Sequence, residues 1–143
     1  MVWEAFAMAA DSGDRPPSLL VVDDEERILS AVRRALRREG YEIVTSESAY
    51  DALRILDERP IDMILSDQKM PGMSGLQFLA EAAKRRPCAA RMLITGWTEE
   101  IPTEKLEELG IRELITKPWD DTTLKDVLRR ACDAVRPLDA APA

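Results

Sequence analysis

Side chains that could handle a phosphate or a cation fall at four places in this chain: Asp23-Asp24-Glu25-Glu26, Ser66-Asp67, Thr95-Gly96 and Thr116-Lys117-Pro118. Each follows a short apolar run, and residues that end such runs gather at one edge when the runs are parallel strands of one sheet. Asp23, Asp24 and Asp67 beside Lys117 set three negative charges against one positive, a surplus that invites a divalent cation. Carboxylates and backbone carbonyls suit Mg2+, a hard ion that keeps several waters and shares itself with phosphate oxygens. A carboxylate nucleophile, a metal clamp, and a lysine and hydroxyl that neutralise the remaining charge are the parts of a phosphoryl-transfer site. Singly, each has a plainer use. Asp23-Asp24 can favour a helix dipole, Asp67 before a Pro-Gly loop can make an Asx turn, and Lys117 can be a surface charge. The joint placement is what argues for a site.

Composition narrows the chemistry further. The 143 residues include no histidine, which excludes Ser-His-Asp and Cys-His catalysis, histidine-ligated metals and a phosphohistidine carrier. Two cysteines, Cys88 and Cys132, are too few for a disulfide scaffold and lack zinc spacing. A net charge of −7 argues against direct binding of nucleic acid or an anionic membrane, which attract basic faces. No apolar run approaches the roughly 18 residues of a membrane span. The first ten residues carry Glu4 and lack the basic start of an export signal, so a cytoplasmic protein is expected. With 45% hydrophobic and 33% charged residues, the composition is that of one globular domain.

The elements that must position these residues alternate along the chain. Ser18 to Val22 is a continuous apolar run, as in a strand covered on both faces. Glu26 to Glu39 follows with a helical stripe of Ile28, Leu29, Val32, Ala35 and Leu36, closed by Gly40. Tyr41 to Ser46 reads as a strand and Ala49 to Glu58 as a helix capped by Ser48. Ile61 to Leu65 reads as a third strand, Asp67 to Ser74 as a loop, and Gly75 to Arg85 as a helix with Ser74 and Gln77 in a capping box. A strand from Arg91 to Thr95, a helix from the cap Thr103 to Leu109, a strand from Arg112 to Thr116 and a helix from Thr122 to Val135 complete the pattern. The result is α/β: a doubly wound, five-stranded parallel sheet of (βα)5 type. Residues 1–17 read as a disordered N-terminal lead, 18–135 as the domain, and 136–143 as a C-terminal tail or truncated linker.

The ordered motifs VVDDEE, LSDQKMPGMSG, LITG and ITKPW resemble the receiver domain of two-component response regulators across essentially all of 18–135. The resemblance implies a flavodoxin-like sheet of order 2-1-3-4-5. It implies Asp67 as phosphoacceptor from the phosphohistidine of a sensor histidine kinase or phosphotransfer protein. It further implies Mg2+ held by Asp24 and Asp67, by the Lys69 backbone carbonyl, and by Asp23 through water. Thr95 would donate to a phosphoryl oxygen, Gly96 would leave room for it, and Lys117 would pair with Asp67 or the phosphoryl group. A cis bond before Pro118 would aim that lysine inward, and Pro71 and Gly75 would shape the loop behind the acceptor. The family also admits an output domain or partner protein, and a homodimer through the fourth helix, fifth strand and fifth helix. Its first helix helps to dock the kinase, though the arginines on that helix here read first as a solvated face.

The sequence departs from the family pattern at Leu114, where an aromatic residue normally reports the switch. The resemblance implies that Glu25 and Lys69 border the path of the hydrolytic water, and they are expected to pair over the site and lengthen the life of the phosphoryl group. Trp97 is a candidate flank of the site, while Trp119 is expected in the core. Two other functions share parts of the pattern. One is an aspartate-nucleophile phosphohydrolase of haloacid dehalogenase type, with its nucleophile in strand one and Asp120-Asp121 as the later acids. The other is a degenerate receiver that acts without phosphate. An FMN-binding module of the same topology is disfavoured, because DDEE would repel the phosphate that its first loop must hold.

Overall fold

The computed structural model describes residues 15–96 and 101–136. Residues 1–14 of the expected lead, 137–143 of the expected tail, and Trp97 lie outside the described residues. Five strands, β1 (Ser18–Val22), β2 (Glu42–Ser46), β3 (Met63–Asp67), β4 (Ala90–Gly96) and β5 (Ile111–Lys117), form one parallel sheet of order β2-β1-β3-β4-β5. Between and after them run α1 (Glu26–Leu36), α2 (Ala49–Glu58), α3 (Gly75–Arg85), α4 (Thr103–Glu108) and α5 (Asp121–Val135).

The two-residue period of the strands sends neighbouring side chains into separate cores. Leu19, Val21, Met63, Leu65, Met92 and Ile94 pack beneath Leu29, Val32 and Leu36 of α1 and Leu124, Val127, Leu128 and Ala131 of α5. Leu20, Val22, Ile64 and Leu93 pack against Ala52, Leu53 and Leu56 of α2 and Phe78, Leu79 and Ala82 of α3. With both faces covered, β1 and β3 are buried at every residue, which is why β1 reads as a continuous apolar run. The chain leaves β1 for β2 on one side and returns to β3 on the other. The order therefore reverses between β1 and β3, and a crevice opens beyond their carboxyl ends.

The observed ends differ from the sequence expectation where local bonds compete. α1 stops at Leu36 rather than Glu39, because Arg37 and Glu39 bond to carbonyls three residues back and tighten the last turn before Gly40, whose φ is +87°. β3 is displaced from the expected 61–65. Asp62 bonds Ser18 through both backbone and side chain, and the ladder begins with Leu19 opposite Met63, so Asp67 is the last residue of the strand rather than the first of the loop. Thr103 is the first residue of α4, not its cap; Pro102 holds the cap position. The capping box of Ser74 and Gln77 is present as expected.

Residues just before β1 bond to the sheet. The Arg15 guanidinium reaches both oxygens of Asp62, at 3.2 and 3.3 Å, and the Pro17 carbonyl accepts from Glu42 at 2.8 Å. At the far end Arg136, assigned to the tail from sequence, lies 3.5 Å from the same Asp62 carboxylate. One carboxylate thus ties the segment entering β1 to the segment leaving α5. Replacing Asp62 by Ala removes the acid shared by two largely covered guanidinium groups, and we expect a loss of about 2 kcal/mol in urea unfolding with unchanged m value. A loss below a few tenths of that would mean the clasp contributes nothing.

Candidate functional site

The crevice is built from the last residues of β1, β3, β4 and β5. Asp23, one residue past β1, is fully buried. Its backbone N–H donates to the Ser46 carbonyl at 3.1 Å and its Oδ1 accepts from the Glu25 N–H at 2.8 Å. Asp67 ends β3 and is 4% exposed. Lys117 ends β5, two strands from β3, a gap of about 10 Å that only a long side chain can close. Its Nζ lies 2.9 Å from Asp67 Oδ1 and 3.4 Å from Asp23 Oδ2, and the Lys117-Pro118 bond is cis. Thr95 is buried near the end of β4, paired with Thr116, and Gly96 pairs with Lys117. Asp24 is exposed at the mouth.

Electrostatics follow from this crowding. Burial, reinforced by the charge of Asp67, pushes the Asp23 carboxyl up to about 6, against the pull of the Glu25 N–H and Lys117. Burial draws Lys117 downward, but its bond to Asp67 and the charges of Asp23 and Asp67 outweigh that and raise it. Asp23, Asp24 and Asp67 each offer an oxygen within 4.8 Å of the others. Asp23 Oδ2 is buried without a hydrogen-bond partner; its contact with Lys117 is an ion pair only. Three converging carboxylates, one with an orphaned oxygen, fit a hard divalent cation.

The loop after Asp67 is held tightly. The Gly75 N–H donates to the Gln68 carbonyl at 2.9 Å, and a Cβ on Gly75 would lie 2.2 Å from the Asp67 carbonyl oxygen. Gly72 has φ +83°, a Cβ there would meet the ring edge and hydroxyl of the exposed Tyr50 at 3.3 and 3.4 Å, and Pro71 is exposed beside it.

Of the remaining sequence candidates, Leu114 is 41% exposed on β5 and turned to solvent. Trp119 packs against the α1/α5 core, as expected. The expected Glu25–Lys69 pair is not formed. Glu25 is the N-cap residue of α1, its backbone tied to Asp23, and its side chain turns outward to Arg27 at 3.6 Å, while Lys69 is exposed. Asp120 caps α5 by accepting from the Thr123 N–H at 3.1 Å, which occupies one acid of the late pair that a phosphohydrolase would require.

The family model of the response regulator receiver domain matches residues 19–129. The chain belongs to that family. Among curated proteins it is 40% identical over 122 residues to the hydrogenase transcriptional regulatory protein HoxA of Cupriavidus necator, covering 85% of this chain and 25% of that protein. It is 34% identical over 119 residues to the transcriptional regulatory protein GlrR of Escherichia coli, covering 83% and 26%. This receiver therefore spans about a quarter of the length of such relatives. A solved receiver domain of an HD domain-containing protein from Pseudomonas fluorescens superposes with TM-score 0.79 at 32% identity, over 85% of this chain and 98% of that one. A response regulator receiver domain from Clostridium thermocellum gives 0.76 at 31%, over 82% and 94%. The sheet order matches the flavodoxin-like one expected from the motifs. No helix among the described residues is long and apolar enough to cross a membrane.

Sequence reasoning overlooked Gln68. Its side-chain oxygen accepts from the Leu76 N–H at 2.9 Å, a role that an amide directly after Asp67 and seven residues before the first residue of α3 could have suggested.

Two predictions follow from the geometry of this receiver. Between the ordinary carboxyl value of 3.8 and about 6, folded Asp23 holds a proton that the unfolded chain has lost. Its stabilising contribution is therefore complete below that window and disappears as pH rises through about 6, by about 3 kcal/mol at most. Metal-free protein should show a falling urea midpoint across this window, and Asp23→Asn should flatten it; a wild-type midpoint independent of pH there refutes the assignment. The pairing of Lys117 is lost only far above this window. Gly75→Ala forces a methyl group into the Asp67 backbone and should cost about 3 kcal/mol, read by thermal unfolding.

Proposed function

We propose that Asp67 is the phosphoacceptor of this receiver and that the charged crevice around it binds Mg2+. The observation that carries this reading is the 2.9 Å contact of Lys117 Nζ with Asp67 inside a cluster of three acids. Asp24 and Asp67 would hold the ion by carboxylate, Asp23 through water and Lys69 through its carbonyl. Mg2+ bound there would neutralise oxygens of the incoming phosphoryl group.

The residues of the chain account for the rest. An Asp67 carboxylate oxygen attacks phosphorus in line while the phosphoryl group leaves the imidazole nitrogen of the donor, so one P–N bond breaks as one P–O bond forms. The donor histidine belongs to a sensor kinase or phosphotransfer protein, since this chain has none. Lys117, already paired with Asp67, turns to a phosphoryl oxygen and keeps the added charge compensated. The Thr95 hydroxyl donates to a second oxygen, and Gly96 leaves space for it. The chemistry of the domain is confined to its own acyl phosphate, so it works as a cytoplasmic signalling switch rather than as an enzyme on external substrates. The relatives named as transcriptional regulators support control of a transcriptional output module, and the family supports a homodimer through α4, β5 and α5.

Incubation with Mg2+ and acetyl phosphate tests the proposal by intact mass and peptide mapping. The expected product carries one phosphoryl group on Asp67, absent from Asp67→Asn and formed about a hundredfold more slowly in Lys117→Ala. Modification at Asp23 or Asp24 instead, or none in the wild type, overturns it.

A further inference from the structure

The residue directly after Asp67 closes the acceptor loop. The Gln68 backbone N–H donates to the Ile94 carbonyl of β4 at 2.9 Å, extending the β3/β4 pairing one step beyond Asp67. Its backbone carbonyl accepts from Gly75 and its side-chain oxygen from Leu76, each at 2.9 Å. The first two amides of α3, which an isolated helix leaves without partners, therefore both end on Gln68. Ser74 Oγ takes the third, from Gln77 at 3.2 Å. The division matters because the Ser74–Gln77 box lies within the helix end, whereas Gln68 joins the helix to the acceptor strand. Residues 69–74 become a loop pinned at both sides of its base by one side chain and one backbone.

We infer that Gln68 is a positioning residue for the metal and phosphoryl site: its side-chain oxygen fixes the α3 N-terminus against β3 and so holds the Lys69 carbonyl where a cation at Asp24 and Asp67 can use it. This rests on the metal reading given above. The chemistry calls for an acceptor of amide length at position 68, since a donor would meet the Leu76 N–H head-on and a shorter acceptor would not reach it. Second-layer partners of this kind set metal affinity by limiting how far a ligand can drift.

The test uses Gln68→Met, which keeps length and bulk but lacks the oxygen, Gln68→Glu, which restores an acceptor, and Gln77→Ala, which opens only the capping box of the same helix. Amide hydrogen exchange by NMR reads the Leu76 bond, and Mg2+ titration followed by amide shifts reads affinity. Gln68→Met should deprotect Leu76 and weaken Mg2+ binding about tenfold. Gln68→Glu should recover both, whereas Gln77→Ala should lower the melting temperature without changing Mg2+ affinity. Wild-type Mg2+ affinity retained in Gln68→Met, or an equal loss in Gln77→Ala, overturns the inference and leaves the metal reading standing. A wild-type domain whose amides do not respond to Mg2+ overturns the metal reading and this inference together.

Discussion

The ion pair between Lys117 and Asp67 is the interaction on which the arrangement at the carboxyl edge depends. Without it, Asp23 and Asp67 would lie buried side by side with no cation between them, a placement that costs several kcal/mol per charge. With it, one ammonium group serves two buried acids, and Asp24 remains at the mouth. Compensation stays incomplete: burial and the neighbouring charge push Asp23 up to about 6, and one of its oxygens has no hydrogen bond. A group held so far from its ordinary value in a crevice is a mark of function more than of structure.

The sheet explains why such a pair can exist. Parallel order sends the ends of β1, β3, β4 and β5 to one edge, and the reversal between β1 and β3 leaves that edge uncovered by a crossover. Both faces are closed by helices, so β1 and β3 at the centre are buried along their whole length and the acids Asp23 and Asp67 come only at or just past their ends. The close approach of Gly75 to Asp67 and the clasp of Gln68 then keep the loop from collapsing onto the acids.

Much of this was legible in the chain because it depends on period and punctuation. A continuous apolar run marked β1, Ser74 with Gln77 marked the start of α3, and the acids and lysine stood where runs ended. The misreadings lie where a bond between distant residues overrides a local pattern. Ile61 is apolar and belongs to the core, yet the Ser18–Asp62 bonds precede the ladder and shift β3 by two residues. Glu25 and Lys69 are near in function by family pattern, but the Asp23 carboxylate fixes the turn that aims Glu25 at Arg27. Gln68 was silent because an amide looks the same in sequence whether it faces water or ties a helix to a strand.

The two edges of the sheet carry opposite solutions to the same electrostatic problem. At the amino edge a single carboxylate, Asp62, stands between two guanidiniums and also accepts from the Ser18 N–H at 2.9 Å. Its acceptor capacity is used by the protein itself, and the cluster joins chain segments. At the carboxyl edge the ratio is inverted, with three carboxylates to one ammonium. An excess of buried positive charge over a satisfied acid can close on itself as a clasp, because each arginine has other donors to turn toward solvent or carbonyls. An excess of ionised acid has no donors of its own to offer, since carboxylates only accept. A cation from outside would relieve it, and with such a cation in place the crevice could take a dianionic phosphoryl group that the bare acids would repel. Polarity of the sheet thus separates the edge that holds the chain together from the edge that exchanges charge with its surroundings.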